Sequence, residues 1–289
     1  MVIESQPPQA TQGRGPSTEL VKRTISAVLL ICAALFVAWE GGKLFGAFWA
    51  LAAIAICWEW LRMADVKTFA PRFCAVLVAS VALGLLSAIP HLSTGWGLLA
   101  LVPIFAFSSA ATFLGRTERD RRWIAFGICY AGVIAFFPSY IREIPGNGWS
   151  NIVWVFAVVW GTDIAAYFVG RSLGGPKLWP RVSPNKTWSG FCGGLATGTL
   201  AGIAVVLFLD NGTGLMSWRQ VGIFSAIASI LSQGGDLAES ALKRHFGVKD
   251  SSFLIPGHGG VMDRLDGFWA AVAFLGMCMF ASQLVHNWG

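Results

Sequence analysis

A helix that crosses a hydrocarbon layer about 30 Å thick needs about 20 apolar residues in a row. Stretches of that size recur along this 289-residue chain, at about 24–40, 44–62, 73–90, 95–114, 123–141, 149–170, 187–209, 219–240 and 267–286. Hydrophobic residues make up 55% of the chain and charged residues 12%. The expected molecule is therefore a polytopic integral membrane protein with about nine transmembrane helices.

The basic residues test that count. Placed on alternate sides of nine spans, nearly all of the 21 Lys and Arg residues share the side of the N-terminus, and only Lys43, Arg142 and Arg219 fall on the other. The positive-inside rule then puts the N-terminus in the cytoplasm. The net charge of +6 reads as topology plus a field for an anionic substrate, and calls for no nucleic acid. Residues 1–23, polar and rich in Pro, Gln, Gly and Ser, are expected to be a disordered cytoplasmic tail ahead of a single transmembrane domain, 24–289. The six cysteines are scattered without metal-ligand spacing, as packing residues are. No span-sized repeat is visible, which argues against the inverted-repeat design of many transporters.

Chemistry concentrates between Leu231 and Gly267. On a helix, Asp236, Glu239, Ser240 and Lys243 line one face with Arg244 beside it. The segment from Phe246 to Gly260 carries too much Gly, Ser and Pro to remain helical, and Asp263 and Asp266 follow it three residues apart. Carboxylates hold a divalent cation, and Lys and Arg neutralise phosphate, so the pattern suits a polyanion that carries a metal. Gly259 and Gly260 would let backbone N–H groups approach a phosphate.

Two further places stand out. Asp163 lies about 12 Å from the cytoplasmic edge of its span, a depth at which an ionisable side chain has a function by default or makes an interhelical hydrogen bond. Arg181 to Gly194 includes Ser183, Asn185, Lys186 and Thr187 at the expected start of the seventh span, where free N–H groups, the helix dipole and Lys186 favour an anion. Glu59, between Trp58 and Trp60, reads equally as a snorkelling interfacial acid and as a polar contact inside the bundle.

The run Ser240-Ala241-Leu242-Lys243-Arg244, then Lys249-Asp250, then Pro256-Gly257-His258-Gly259-Gly260-Val261-Met262-Asp263-Arg264-Leu265-Asp266 resembles the signature of phosphatidate cytidylyltransferases, also called CDP-diacylglycerol synthases. Gly235 to Ser240 and Ser183 to Trp188 are similar to the family as well. Its commoner form has Lys where Asn185 stands and Glu where Ser189 stands. The resemblance implies an all-α membrane enzyme, working as a homodimer, that joins CTP to phosphatidate with Mg²⁺ and a second, monovalent cation such as K⁺. It implies metal binding by Asp236 and Asp263 with help from Asp266, and phosphate contacts from Lys186, Lys243, Arg244, Lys249, His258 and Arg264. CTP is cytoplasmic and phosphatidate is in the leaflet, so the expected site faces the cytoplasm from a bacterial inner membrane.

Two other classes share some of these features. A lipid kinase or CDP-alcohol phosphotransferase would use the same metal and phosphates, but the latter's Asp-Gly…Ala-Arg…Gly…Asp…Asp pattern is missing. A transporter would place its acids near mid-membrane. Here they crowd one edge.

Overall fold

Backbone N–H and C=O groups cannot be left bare in hydrocarbon, so the span-length segments close their own hydrogen bonds as helices. The computed structural model describes residues 16–66, 117–209, 217–255 and 259–288. Its helices are α1 (Pro16–Glu40), α2 (Gly42–Met63), α3 (Glu118–Arg142), α4 (Gly148–Leu173), α5 (Trp188–Leu209), α6 (Trp218–His245) and α7 (Met262–Trp288). Six of them, α2 to α7, are long and apolar enough to span a membrane. The stretches 73–90 and 95–114, expected to be two further spans, lie outside the described residues.

Three expectations change. The first helix begins at Pro16, inside the stretch read as a tail, because proline lacks an N–H and suits a first helical turn, where that donor has no partner. The last begins at Met262, so Asp263 and Asp266 belong to its first turns. The fold is also not wholly helical. Strands β1 (Lys177–Trp179) and β2 (Ser183–Thr187) pair antiparallel, with Lys177 opposite Thr187 and Trp179 opposite Ser183. Ser183 to Lys186 are thus strand residues and do not begin a helix; Pro184 is tolerated because a two-stranded sheet has only edge strands.

α4 and α5 approach through glycine. The buried residues of α5 are Gly190, Gly194, Gly198 and Gly202, one per turn. A Cβ on Gly190 would sit 2.7 Å from Ala166 O, one on Gly194 2.8 Å from Thr162 O, and one on Gly198 3.0 Å from Val158 O. The contact therefore descends α4 by one turn for each turn of α5, backbone against backbone, the approach that small residues allow in membranes. α4 joins α6 by hydroxyl and indole bonds: Thr162 Oγ1 and Ser229 Oγ are 2.7 Å apart, and Trp154 Nε1 donates to Ser225 Oγ at 3.1 Å.

α2, α3 and α7 meet through aromatic rings. Trp49 stacks on Phe268 with centroids 4.8 Å apart, and Tyr130 on Trp269 at 4.7 Å. Trp269 Nε1 donates to Tyr130 O and Trp60 Nε1 to Trp123 O, which satisfies indole donors that burial would otherwise strand. At one end of this group, Arg142 donates to Ala38 O and Trp39 O at the C-terminus of α1, while Glu143 accepts from Gly42 N at the start of α2. Each charge meets the helix end of opposite dipole sign. Trp123 against Phe246, 4.6 Å between centroids, brings the other end of α3 beside the end of α6. The acids and bases gather at that second end.

Candidate active site

α6 and α7 cross closely at a glycine of each helix. A Cβ on Gly235 would lie 2.6 Å from Asp266 O, and one on Gly267 2.6 Å from Ser232 Oγ. This close approach sets Asp236, Glu239 and Lys243 of α6 against Asp263 and Asp266 of α7. Lys243 Nζ donates to Asp263 Oδ1 at 2.6 Å and stands 3.4 Å from Glu239 Oε1. The sequence pattern placed these residues together, and the structure joins them.

The hairpin supplies a second cation. Lys186 of β2 lies 2.5 Å from Asp236 Oδ2. Its neighbour Thr187 is buried, and its Oγ1 accepts from Gly190 N at 3.1 Å and lies 3.0 Å from Ser189 Oγ, so this hydroxyl caps α5. Ser189 Oγ also bonds Gly174 O, tying the start of α5 to the end of α4. Ser183 is half-buried and Asn185 exposed. The cap and the strand together aim Lys186 at α6.

The loop after α6 is built on two carboxylates. Asp263 Oδ2 accepts from Gly260 N at 2.8 Å and from Ser251 N and Oγ at 3.0 Å. Glu59 of α2, fully buried, accepts from Ser252 Oγ at 2.6 Å, Ser251 Oγ at 3.0 Å, and Val261 N and Met262 N at 2.8 Å. Glu59 is thus a contact inside the bundle and does not snorkel. Its signal was an acid between two tryptophans in an apolar span. Ser251 and Ser252 had none, since hydroxyls in a polar loop are ordinary. Gly259 has φ +82, a left-handed conformation that favours glycine. A Cβ on Gly260 would collide with Ser251 Oγ and approach Glu59 Oε1.

The remaining expected residues divide. Asp163 is exposed on α4 and lies within electrostatic reach of Asp236, Asp266, Lys186 and Arg264. Arg244 is exposed and donates to Val248 O at 3.3 Å, and Lys249 is exposed. His258 lies outside the described residues. Asp163, Lys186, Asp236, Lys243, Asp263, Asp266 and Arg264 therefore share one region, and Arg244 and Lys249 border it.

The oxygen-rich cluster fits a hard cation. The Glu239 carboxylate is buried, with the Lys243 ammonium 3.4 Å from Oε1 and the Asp266 carboxylate alongside. Among the described residues, no three Asp, Glu, His or Cys side chains form a ready cage. Mg²⁺ commonly takes one or two carboxylates and completes its shell with water and substrate phosphates, so such a cage is not required. The ammonium of Lys186 stands at Asp236 where a cation is welcome.

The site's signature extends to sequence comparison. The profile of the Cytidylyltransferase family matches residues 21–282. A protein of Brucella suis biovar 1 named phosphatidate cytidylyltransferase is 40% identical over 258 residues, 89% of this chain and 92% of that one. Proteins of the same name from Staphylococcus saprophyticus and Staphylococcus aureus (strain COL) are 35% and 33% identical, covering 89% and 90% of this chain and 98% and 99% of theirs. A match that runs through the bundle, the hairpin and both flanks of the 251–262 loop is one of whole chains, and the protein belongs to the cytidylyltransferase family.

Proposed function

We infer that this integral membrane protein is a phosphatidate cytidylyltransferase, which transfers the cytidylyl group of CTP to phosphatidate and releases pyrophosphate. The observation that carries the reading is the pair of lysine–aspartate contacts, Lys186 with Asp236 and Lys243 with Asp263, set at one end of the bundle around the α6–α7 crossing. Near-neutral charge balance among acids and bases at a bilayer edge suits a lipid phosphate meeting a triphosphate.

The phosphate of phosphatidate is already an oxyanion at neutral pH. It attacks the α-phosphorus of CTP directly, the bond from that phosphorus to the α,β-bridging oxygen breaks, the β- and γ-phosphates leave together as pyrophosphate, and no protein nucleophile is needed. Lys186, Lys243, Arg244, Lys249 and Arg264 lower the repulsion between the two polyanions and orient them. Asp236, Asp263 and Asp266 are the carboxylates offered to Mg²⁺, which when bound neutralises phosphate charge and stabilises the leaving pyrophosphate. Asp163 and Glu239 add negative field for a monovalent cation such as K⁺. The backbone of Gly259 offers an N–H to phosphate while that of Gly260 is held by Asp263, and His258 belongs to the same loop.

The protein works as a homodimer of nine-span subunits in a bacterial inner membrane, with N-terminus and site toward the cytoplasm and a lateral opening for acyl chains. Purified protein given labelled CTP and phosphatidate should place label in a lipid product in the presence of Mg²⁺ and not in EDTA. An unlabelled lipid fraction from folded protein would count against the reading, and ATP would then be tried as donor.

A further inference from the structure

Glu59 has no part in the phosphate and cation chemistry above, although its buried carboxylate accepts four hydrogen bonds beside the site. Its two oxygens divide the loop between them. Oε1 takes Ser252 Oγ at 2.6 Å and Val261 N at 2.8 Å, while Oε2 takes Ser251 Oγ at 3.0 Å and Met262 N at 2.8 Å. Each oxygen therefore holds one hydroxyl from the entrance of the loop and one backbone N–H from its exit. We propose that Glu59 is a positioning residue for cytidylyl transfer: without touching substrate, it clamps the two ends of the 251–262 loop so that Gly259 and Asp263 face the phosphates in a fixed geometry. The proposal rests on the reading of the reaction given above.

Apolar packing holds only the exit of this loop, where Met262 is fully buried. At its entrance Phe253 is 84% exposed and Leu254 48%. Polar bonds to a buried anion take the place of a core, and hydrogen bonds to a charged group are the stronger kind. Ser251 carries the geometry onward. Its Oγ lies 3.0 Å from both Glu59 Oε2 and Asp263 Oδ2, and a hydroxyl has one proton to donate, so this residue serves one carboxylate at a time and ties the two together. Asp263 in turn holds Lys243. A line of contacts thus runs from α2 through Ser251 and Asp263 to a phosphate-facing cation.

A carboxylate is required at this point. Glutamine would turn an amide N–H₂ toward Ser251 and Met262 or toward Ser252 and Val261, and a backbone N–H cannot reverse its role to accept. Aspartate keeps the charge but is shorter by one methylene.

The test uses full-length protein in phosphatidate-containing nanodiscs. Hydrogen–deuterium exchange of peptides spanning 251–262, without substrate, is read beside steady-state CTP incorporation for wild type, Glu59→Gln, Glu59→Asp and the milder Ser252→Ala. Glu59→Gln should raise loop exchange at least about tenfold, leave α4 and α5 protected, and lower kcat on the order of 100-fold, the effect of an ångström-scale misplacement. KM for phosphatidate should stay within about threefold in the same variant, since the acyl chains are held elsewhere. Glu59→Asp should recover part of both readouts, and Ser252→Ala should lower kcat by about fivefold, the value of one hydrogen bond. Wild-type exchange in Glu59→Gln, or faster exchange with unchanged kcat, would overturn the proposal. So would exchange raised throughout the bundle combined with a fully active Ser252→Ala, which marks a purely structural acid. An inactive wild type would overturn the reaction itself, and the substrate-free exchange would still judge the clamp.

Discussion

Lys186 Nζ lies 2.5 Å from Asp236 Oδ2, a contact that joins the only sheet among the described residues to α6, the helix of Asp236, Glu239 and Lys243. The two side chains keep 26% and 35% of their exposure, so the pair contributes less than about 1 kcal/mol to stability. The proposed role of the pair is in the reaction. Lys186→Met should leave the thermal midpoint within about 3 °C of wild type and lower CTP incorporation by about 100-fold. A large fall in midpoint with retained turnover would reverse this assignment.

Neighbouring glycines on α6 should behave in opposite ways. A Cβ on Gly234 meets nothing within 4 Å, whereas one on Gly235 meets the backbone oxygen of Asp266 at 2.6 Å. Gly235→Ala forces the α6–α7 crossing apart and is expected to destabilise by about 1–3 kcal/mol and to abolish most activity. Gly234→Ala should be neutral or slightly stabilising, as alanine is the better helix former. Thermal unfolding and turnover of the two variants decide the matter together.

The two aspartates proposed as metal ligands, Asp236 and Asp263, differ in what else they hold. Asp263 accepts Lys243, Gly260 and Ser251, with its side chain 6% exposed, while Asp236 is half-exposed. Both Asp→Asn variants should lose turnover. Asp263→Asn should also lower stability by about 3 kcal/mol, because it leaves a buried ammonium with a weaker partner and disturbs the loop. Asp236→Asn should unfold near the wild-type temperature.

Arg142 offers a control at the opposite end of the bundle. Its guanidinium donates to Ala38 O at 2.7 Å and Trp39 O at 3.0 Å, carbonyls that end α1. Arg142→Ala should destabilise by about 1–2 kcal/mol through loss of charge-assisted bonds at a helix C-terminus. kcat per folded molecule should not change, which an assay normalised to folded fraction would check.

Much of this site could be read in the sequence because helical spacing is rigid. Asp236, Glu239 and Lys243 had to share a face once they were helical, and Asp263 with Asp266 had to follow the loop. Partners distant in the chain were a different matter. Nothing local to Glu59 pairs it with Met262, 203 residues away, since that contact depends on how α2 leans on α7. The hairpin escaped because Ser-Pro-Asn-Lys-Thr is as good a helix entrance as a strand, and Thr187 serves as the cap in either case. The four glycines at turn spacing in α5 were legible in principle, but their partner helix was not.

Those glycines leave α5 with an unusual division of labour. The helix touches its neighbours mainly through backbone, and large side chains such as Leu200 and Phe208, 65% and 86% exposed, face away from the protein. These outward side chains have little to fit within the protein, and many different apolar residues would serve there equally well. What specifies the position of α5, and through Thr187 the aim of Lys186, is the place where side chains are missing.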